Sequence, residues 1–448
     1  MNMLGLREFV SRYPGYFLAL LSLLYVCASK PYPNGPHIRS DGVGYHMWTK
    51  GFMTGDFSFC KYGDMHVYGG EGVFSYQGSE RCLIKYPPGV ALLRLPLMIW
   101  FTDPQETQHI SLGEHTVSML CGALALILIV LLLHLLLQAY GVSSIDAQFT
   151  NLGAVLGTGL FHYGTYDNGF SHVYSSLLCS GILFLFFYPG IRLQRIRTMI
   201  FVLFLSLFLV RSTNIFMAIA LCAFYLVQQR FRFQAFQVCA VAAGGTTCAI
   251  LLQVMINAYA TGEMTLSSYG GESFLWHRPM TWSVLMSYDR GLFLYYPIFT
   301  LFVSVGMISR VSRPLCVLLV GLVSVYSVLY GFWHSWALGA GFGHRGFVEV
   351  VPVGALALGL ALPYLSEVSR KFVRLCVMIF TLMTLVLMQG YWFSTLPAAG
   401  TSGVTYWEHL KLLHFSPYFA LAFMTVASIM YLILWLRRKS ISSLSASV

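Results

Sequence analysis

The segment Ser40-Asp41-Gly42-Val43-Gly44-Tyr45 sets a carboxylate and a phenol four residues apart. A helix starting at Ser40 carries both on one face. Two readings of Asp41 stand side by side. It caps that helix, or it is a partly desolvated carboxylate whose raised basicity lets it take a proton from a hydroxyl. Further on, the prolines of Lys85-Tyr86-Pro87-Pro88-Gly89 make a rigid turn that launches a helix, and Lys85 can hold a phosphate as a point charge. In Tyr166-Asp167-Asn168-Gly169-Phe170-Ser171-His172 an Asn-Gly turn accounts for Asn168 and Gly169. Neither Asp167 nor His172 is needed for that turn. Asp167 is a second carboxylate, able to orient an acceptor or to bind a divalent cation such as Mg or Mn together with Asp41.

Arg211 stands between two apolar runs, where an arginine is costly and usually partnered. It either snorkels to lipid headgroups or binds a lipid phosphate. The stretch Trp333-His334-Ser335-Trp336-Ala337-Leu338-Gly339-Ala340-Gly341-Phe342-Gly343-His344-Arg345 is the richest. Its tryptophans suit a membrane interface. Its glycine-rich run ends in His-Arg at the start of a helix, where backbone amides and Arg345 make an anion site. Glu272, His277, Arg278, Asp289 and Arg290 are ambiguous one by one and receive no role.

The elements that must position these groups are membrane helices. The 448-residue chain is 57% hydrophobic and 10% charged, a balance that leaves lipid as its solvent. Runs such as Val117 to Leu137 are long enough to cross about 30 Å of hydrocarbon. The net charge of +10 is topological: 15 of the 27 basic residues, Arg7 and Arg12 together with five clusters flanking later apolar runs, fall in segments that this pattern marks as cytoplasmic. No basic patch for nucleic acid appears. Spans are expected near 16–29, 116–140, 149–163, 171–190, 199–211, 213–227, 235–256, 291–309, 314–332, 347–365, 375–392 and 418–436, with both termini cytoplasmic. The run at 16–29 also fits a cleavable signal peptide, which leaves the orientation of the next segment unchanged. The first outer loop, 30–115, holds an apolar segment, Gly89 to Phe101, that is too short to span and is expected to lie in the interface. Every residue singled out above then falls on the outer face. Residues 1–448 read as one membrane domain without a soluble appendage. Ten cysteines are scattered without zinc spacing. Cys60 and Cys82 share the first outer loop, and whether they pair is open.

With those residues in view, the chain resembles the GT-C superfamily of integral membrane glycosyltransferases, which use polyprenyl-phosphate-linked sugars. Ser40-Asp41 with Tyr45 and the downstream Gly55-Asp56-Phe57 looks like the family's first-loop acidic motif. Lys85 through Gly89 is similar to the motif before its second interfacial helix, Leu209 to Thr213 to the basic tip of a short hairpin, and Trp333 to Arg345 to a late tryptophan/glycine/arginine segment. Asp41 is followed by glycine where many members carry a second acidic residue, so metal dependence stays open.

The resemblance implies an all-α polytopic bundle of about 12 transmembrane helices with interfacial helices in the first outer loop. It implies transfer of a hexosyl or pentosyl group from a polyprenyl phosphate, with inversion, to a hydroxyl of a glycan, glycolipid or lipopolysaccharide/O-antigen. Nucleotide sugars stay in the cytoplasm, so an outer-face transferase needs a sugar carried across on a lipid. In this reading Asp41 is the general base and Asp167 orients the acceptor or shares a cation. Lys85, Arg211 and Arg345 neutralise the departing phosphate, while Tyr45, His172, Trp333 and His344 line the substrates. A bacterial inner membrane with a periplasmic site is the expected location. Two rivals are an O-antigen ligase or polymerase, built on arginines and a histidine in a late loop, and a flippase or transporter, which would place polar groups near the midplane.

Overall fold

A computed structural model describes residues 38–412 except 58, 62–71, 76–81, 107, 267, 270–271, 393 and 398. The expected spans at 16–29 and 418–436 lie outside the described residues.

Helix α1 (Asp41–Thr54) ends at Gly55, whose φ of 71° is the left-handed cap that favours glycine. Strands β1 (Val73–Ser75) and β2 (Cys82–Ile84) then pair antiparallel. This hairpin is a local ribbon in a chain that is otherwise helical among the described residues. Cys82 at the start of β2 is disulfide-bonded to Cys60, which supplies the closure that so short a two-stranded ribbon needs. Helix α2 (Gly89–Met98) presents Leu92, Leu93 and Leu97 outward and buries Val90, Ala91, Arg94 and Met98. It is followed by the exposed Ile99, Trp100 and Phe101, the profile of a helix lying in the interface.

Helix α3 (Leu112–Ala139) starts with a capping box between Ser111 and Glu114. The span expected at 149–163 is two helices, α4 (Ser144–Leu156) and α5 (Leu160–Thr165), parted at Gly157 to Gly159. Helix α6 (His172–Phe187) returns, and α7 (Arg197–Val210) and α8 (Asn214–Gln228) form the short hairpin with Arg211 at its tip. Helix α9 (Phe233–Thr261) packs along α7. After the outer loop come α10 (Thr281–Met286) and α11 (Leu292–Tyr295). Pro297 separates α11 from α12 (Ile298–Gly306), so the span expected at 291–309 is also interrupted. Helix α13 (Arg313–Phe332) leads to the glycine-rich loop. A 3-10 turn (Arg345–Val350) then runs into α14 (Val351–Ala361), and α15 (Glu367–Trp392) and α16 (Gly403–Leu412) complete the described chain.

Among the described residues five helices are long and apolar enough to cross a membrane: Leu112–Ala139, Phe233–Thr261, Arg313–Phe332, Arg345–Tyr364 and Glu367–Trp392. Four shorter apolar helices accompany them: Gly89–Met98, His172–Phe187, Arg197–Val210 and Asn214–Gln228.

Two close approaches assemble the outer end. A Cβ on Gly89 would sit 2.4 Å from the backbone of Leu209 and Val210, so only glycine lets the start of α2 lie against the end of α7. That contact brings the lysine motif next to Arg211. A Cβ on Gly42 would lie 3.3 Å from Gly169 Cα, which seats the start of α1 on the loop that carries Asp167.

Candidate active site

Asp41 is the first residue of α1, and Ser40 before it has φ 47°, an uncommon conformation for a non-glycine residue. The carboxylate is ion-paired, with Arg345 Nη1 2.9 Å from Oδ2. The Tyr86 hydroxyl lies within electrostatic reach of it, and burial together with that carboxylate pushes the Tyr86 phenol well above its usual pKa. Tyr86 is itself located by its ring stacking on Tyr45 (4.9 Å) and by Trp48 Nε1 donating to its carbonyl at 2.9 Å. The Arg345 guanidinium lies over the Phe170 ring at 5.2 Å.

Lys85 is likewise held by a carboxylate. Its ammonium is paired with Glu272 and sits 5.1 Å from the centre of the Tyr269 ring. The second oxygen of Glu272 lies 3.2 Å from His334 Nε2. The Ser268 hydroxyl donates to the Lys85 carbonyl at 2.7 Å, and Trp333 packs on Tyr269 and bridges Phe274. The 268–276 segment thus staples the first outer loop to the tryptophan motif.

Arg211 completes the pattern. Its Nε is 3.3 Å from Glu349 Oε1 and donates to Thr213 Oγ1 at 2.9 Å. His172 Nδ1 is 3.1 Å from the same Glu349 oxygen, while His172 Nε2 is 3.3 Å from Arg211 Nη1. Arg211 Nη1 also lies 3.1 Å from His172 Nδ1, so the guanidinium sits against the imidazole while the ring reaches the same carboxylate. Tyr269 lies within electrostatic reach of Asp41, Arg211, Glu272 and Arg345, and Tyr45 within reach of Asp41, Arg211 and Tyr269. The three cations expected for a phosphate therefore share one neighbourhood with Asp41.

Asp167 sits one layer behind, with its side chain 2% exposed. Arg39 Nε and Nη2 reach Oδ1 at 3.0 and 2.9 Å, and His162 Nε2 lies 2.8 Å from Oδ2. Trp392 Nε1 donates to His162 Nδ1 at 2.8 Å. An indole N–H only donates, so the His162 proton is on Nε2 and is given to Asp167. Burial alone would raise the Asp167 carboxyl pKa, but Arg39 and His162 outweigh it and hold that pKa well below the usual carboxylate range. With two such partners this carboxylate has little affinity left for a substrate proton or a cation. Among the described residues no group of three His, Cys, Asp or Glu side chains could hold a metal. Asp41 and Asp167 carry separate arginines, a donor set that does not fit Mg or Mn.

His344 is fully buried against Tyr330 and Phe347, and its Nε2–H bonds to the Trp336 carbonyl at 3.0 Å. Burial pushes its pKa down to about 3, so the imidazole is neutral.

Sequence reasoning located Asp41, Lys85, Arg211 and Arg345 but missed the groups that hold them. Tyr86 was visible only as part of a turn motif, and Glu272 was set aside. Arg39, His162, Tyr269 and Glu349 lay in segments with no recognisable spacing. Glu349 had one usable signal, being an acidic residue inside an otherwise apolar run.

Asp167→Asn is expected to act on stability. Removing the charge weakens the hydrogen bonds from Arg39 and His162, at a cost of roughly 1.5–3 kcal/mol for bonds to an ionised group. Thermal unfolding in detergent reads this. A variant as stable as wild type yet inactive would return Asp167 to the chemistry.

No family model matches the sequence, and no curated protein matches it either. Solved structures do match. ArnT from Cupriavidus metallidurans, in a crystal structure bound to undecaprenyl phosphate, superposes with a TM-score of 0.55 at 13% identity, over 96% of this chain and 73% of its own. The Archaeoglobus fulgidus oligosaccharyltransferase in its apo form aligns at a TM-score of 0.45 and 10% identity, over 92% of this chain and 60% of its own. The likeness to ArnT covers nearly the whole chain and shows that the two proteins share a fold.

Proposed function

We propose that the protein is a glycosyltransferase that moves a sugar from a polyprenyl phosphate to a hydroxyl acceptor on the outer face of the membrane. The observation that carries this reading is the arrangement of three cations on three carboxylates: Lys85 on Glu272, Arg211 on Glu349, and Arg345 on Asp41. ArnT, whose fold this chain shares, holds undecaprenyl phosphate.

The chemistry follows from charge. A sugar–phosphate–lipid carries one negative charge, and the bond from the anomeric carbon to the phosphate oxygen leaves it with two. Cations placed in advance at that oxygen stabilise the transition state more than the donor. The acceptor oxygen attacks the anomeric carbon from the opposite face, which inverts it. Asp41 takes the hydroxyl proton, and the phosphate leaves with the electron pair. In the structure Asp41 is occupied by Arg345, so the arriving phosphate competes for that arginine and releases the base. Tyr86 keeps the freed carboxylate in place. Asp167 positions: through Arg39, and through the contact of Gly42 with Gly169, it fixes the corner where α1 begins. No step is routed through a metal.

The ligase reading relies on an accessible histidine, whereas His344 is buried and neutral. The transporter reading needs polar groups near mid-bilayer, whereas the three ion pairs stand in loops and at helix ends. The Cys60–Cys82 disulfide belongs to an oxidising compartment, which favours a periplasmic site in a bacterial inner membrane. The acceptor is a glycan, glycolipid or lipopolysaccharide hydroxyl.

The test of the phosphate cradle is binding of undecaprenyl phosphate to the detergent-solubilised protein. Arg345→Ala is expected to weaken it about 10–100-fold, the loss of one charge-assisted contact of roughly 1.5–3 kcal/mol. Unchanged binding would remove Arg345 from the donor site. Topology has its own check: a membrane-impermeant maleimide added from outside is expected to label Cys60 and Cys82 only after reduction. Labelling without reduction would mean that the two thiols are not paired, and no labelling even after reduction would place the loop on the cytoplasmic side.

A further inference from the structure

We propose that Arg94 holds a small monovalent inorganic anion, of halide size, in a buried site between α1, α2, α3 and α6 and apart from the Asp41 cradle. Arg94 is 0% exposed, on the face of α2 opposite the outward-facing Leu92, Leu93 and Leu97. Its Nε, Nη1 and Nη2 all lack a hydrogen-bond partner among the described residues. A guanidinium stays charged under any ordinary condition, so deprotonation offers no relief. Buried charges are otherwise paired or hydrogen-bonded.

The surroundings set the charge of the occupant. Arg94 acts electrostatically on His46 of α1, Cys121 of α3 and Tyr174 of α6. Behind His46 lies one carboxylate, Glu114, and it is already in use. Glu114 Oε1 accepts from His46 Nε2 at 2.9 Å and lies 3.6 Å from Lys50 Nζ, while Oε2 accepts from Ser111 N at 2.6 Å. Lys50 is also fully buried, donating to the Asp103 and Glu106 carbonyls at 3.1 and 2.5 Å. With Nε2–H spent on Glu114, His46 keeps an unpartnered lone pair on Nδ1 and adds no charge. Glu114 thus answers Lys50, and among the described residues no carboxylate pairs with Arg94.

Water could satisfy the hydrogen bonds of Arg94 but not its charge. Full burial excludes a lipid headgroup, whose acyl chains would need an open flank. A single compact anion meets both demands. Two more buried hydroxyls without partners, Thr49 on α1 and Thr102 just past α2, stand on the same packed elements.

The test uses the full chain in detergent at constant ionic strength. Thermal stability is measured as sodium gluconate is replaced by sodium bromide, and bromide is located by anomalous diffraction from crystals. The expected result is a saturable rise in Tm of a few degrees and an anomalous peak beside the Arg94 guanidinium. Arg94→Met is expected to abolish the bromide response; if that variant does not fold, Arg94→Lys serves, with a shifted bromide midpoint. A Tm that does not respond to bromide, a response unchanged in the variant, or crystals without bromide at Arg94 would overturn the proposal.

Discussion

Asp41→Asn is expected to bind undecaprenyl phosphate more tightly than the wild-type protein while transferring sugar roughly 10²–10⁴-fold more slowly, the usual contribution of a general base. The two effects have one cause. Asp41 and the donor phosphate compete for Arg345, which is 2.9 Å from the carboxylate. An asparagine side chain is nearly isosteric but neutral, so it gives up the arginine without leaving a hole. An ion pair of this kind, with side chains 13% and 17% exposed, is partly screened. About a tenfold gain in affinity would correspond to roughly 1.4 kcal/mol. A variant that loses transfer and also binds the lipid phosphate more weakly would mean that Asp41 supports the cradle instead of competing with the donor.

The second large effect belongs to Arg211. Arg211→Ala is expected to destabilise the protein by up to about 3 kcal/mol, because Glu349 is fully buried and loses its main hydrogen-bonded partner. Loss of activity in that variant alone is therefore uninformative. Adding Glu349→Gln replaces the orphaned carboxyl, and the pair Arg211→Ala with Glu349→Gln is expected to recover much of the stability, since neutral replacements of buried ion pairs are often tolerated. It should not recover lipid-phosphate binding. Thermal unfolding and binding, measured on the two single variants and the double variant, separate the roles. Recovery of both properties together would reduce Arg211 to a structural residue.

Much of this site was legible because a membrane protein advertises its exceptions. Lys85 beside Pro87-Pro88, Arg211 between two apolar runs and Arg345 after a glycine-rich loop stand out against lipid-compatible sequence. Charge clusters placed them all on one face. Partnership was not legible. Arg39 and Asp167 meet across 128 positions and Lys85 and Glu272 across 187, distances over which no local periodicity reaches. The positioning role proposed for Asp167 rests on such partners: its turn reads as one that orients an acceptor or shares a cation, and Arg39 and His162 lie outside any readable pattern. The spans at 149–163 and 291–309 were read as continuous because hydropathy averages over a break at Gly157 or at Pro297. The β1–β2 hairpin was missed because three-residue strands depend on the disulfide and on packing against α1 rather than on alternation.

The central claim is that Lys85, Arg211, Arg345 and Asp41 form one lipid-phosphate glycosyl-transfer centre. The most direct measurement is the transfer of radiolabelled sugar from a panel of polyprenyl-phosphate sugars to membrane acceptors, by wild type and by Asp41→Asn purified to equal stability. Label moving to an acceptor with wild type, from at least one donor, and failing to move with the variant is the predicted result. Transfer from no donor, or equal transfer by the variant, would contradict the account.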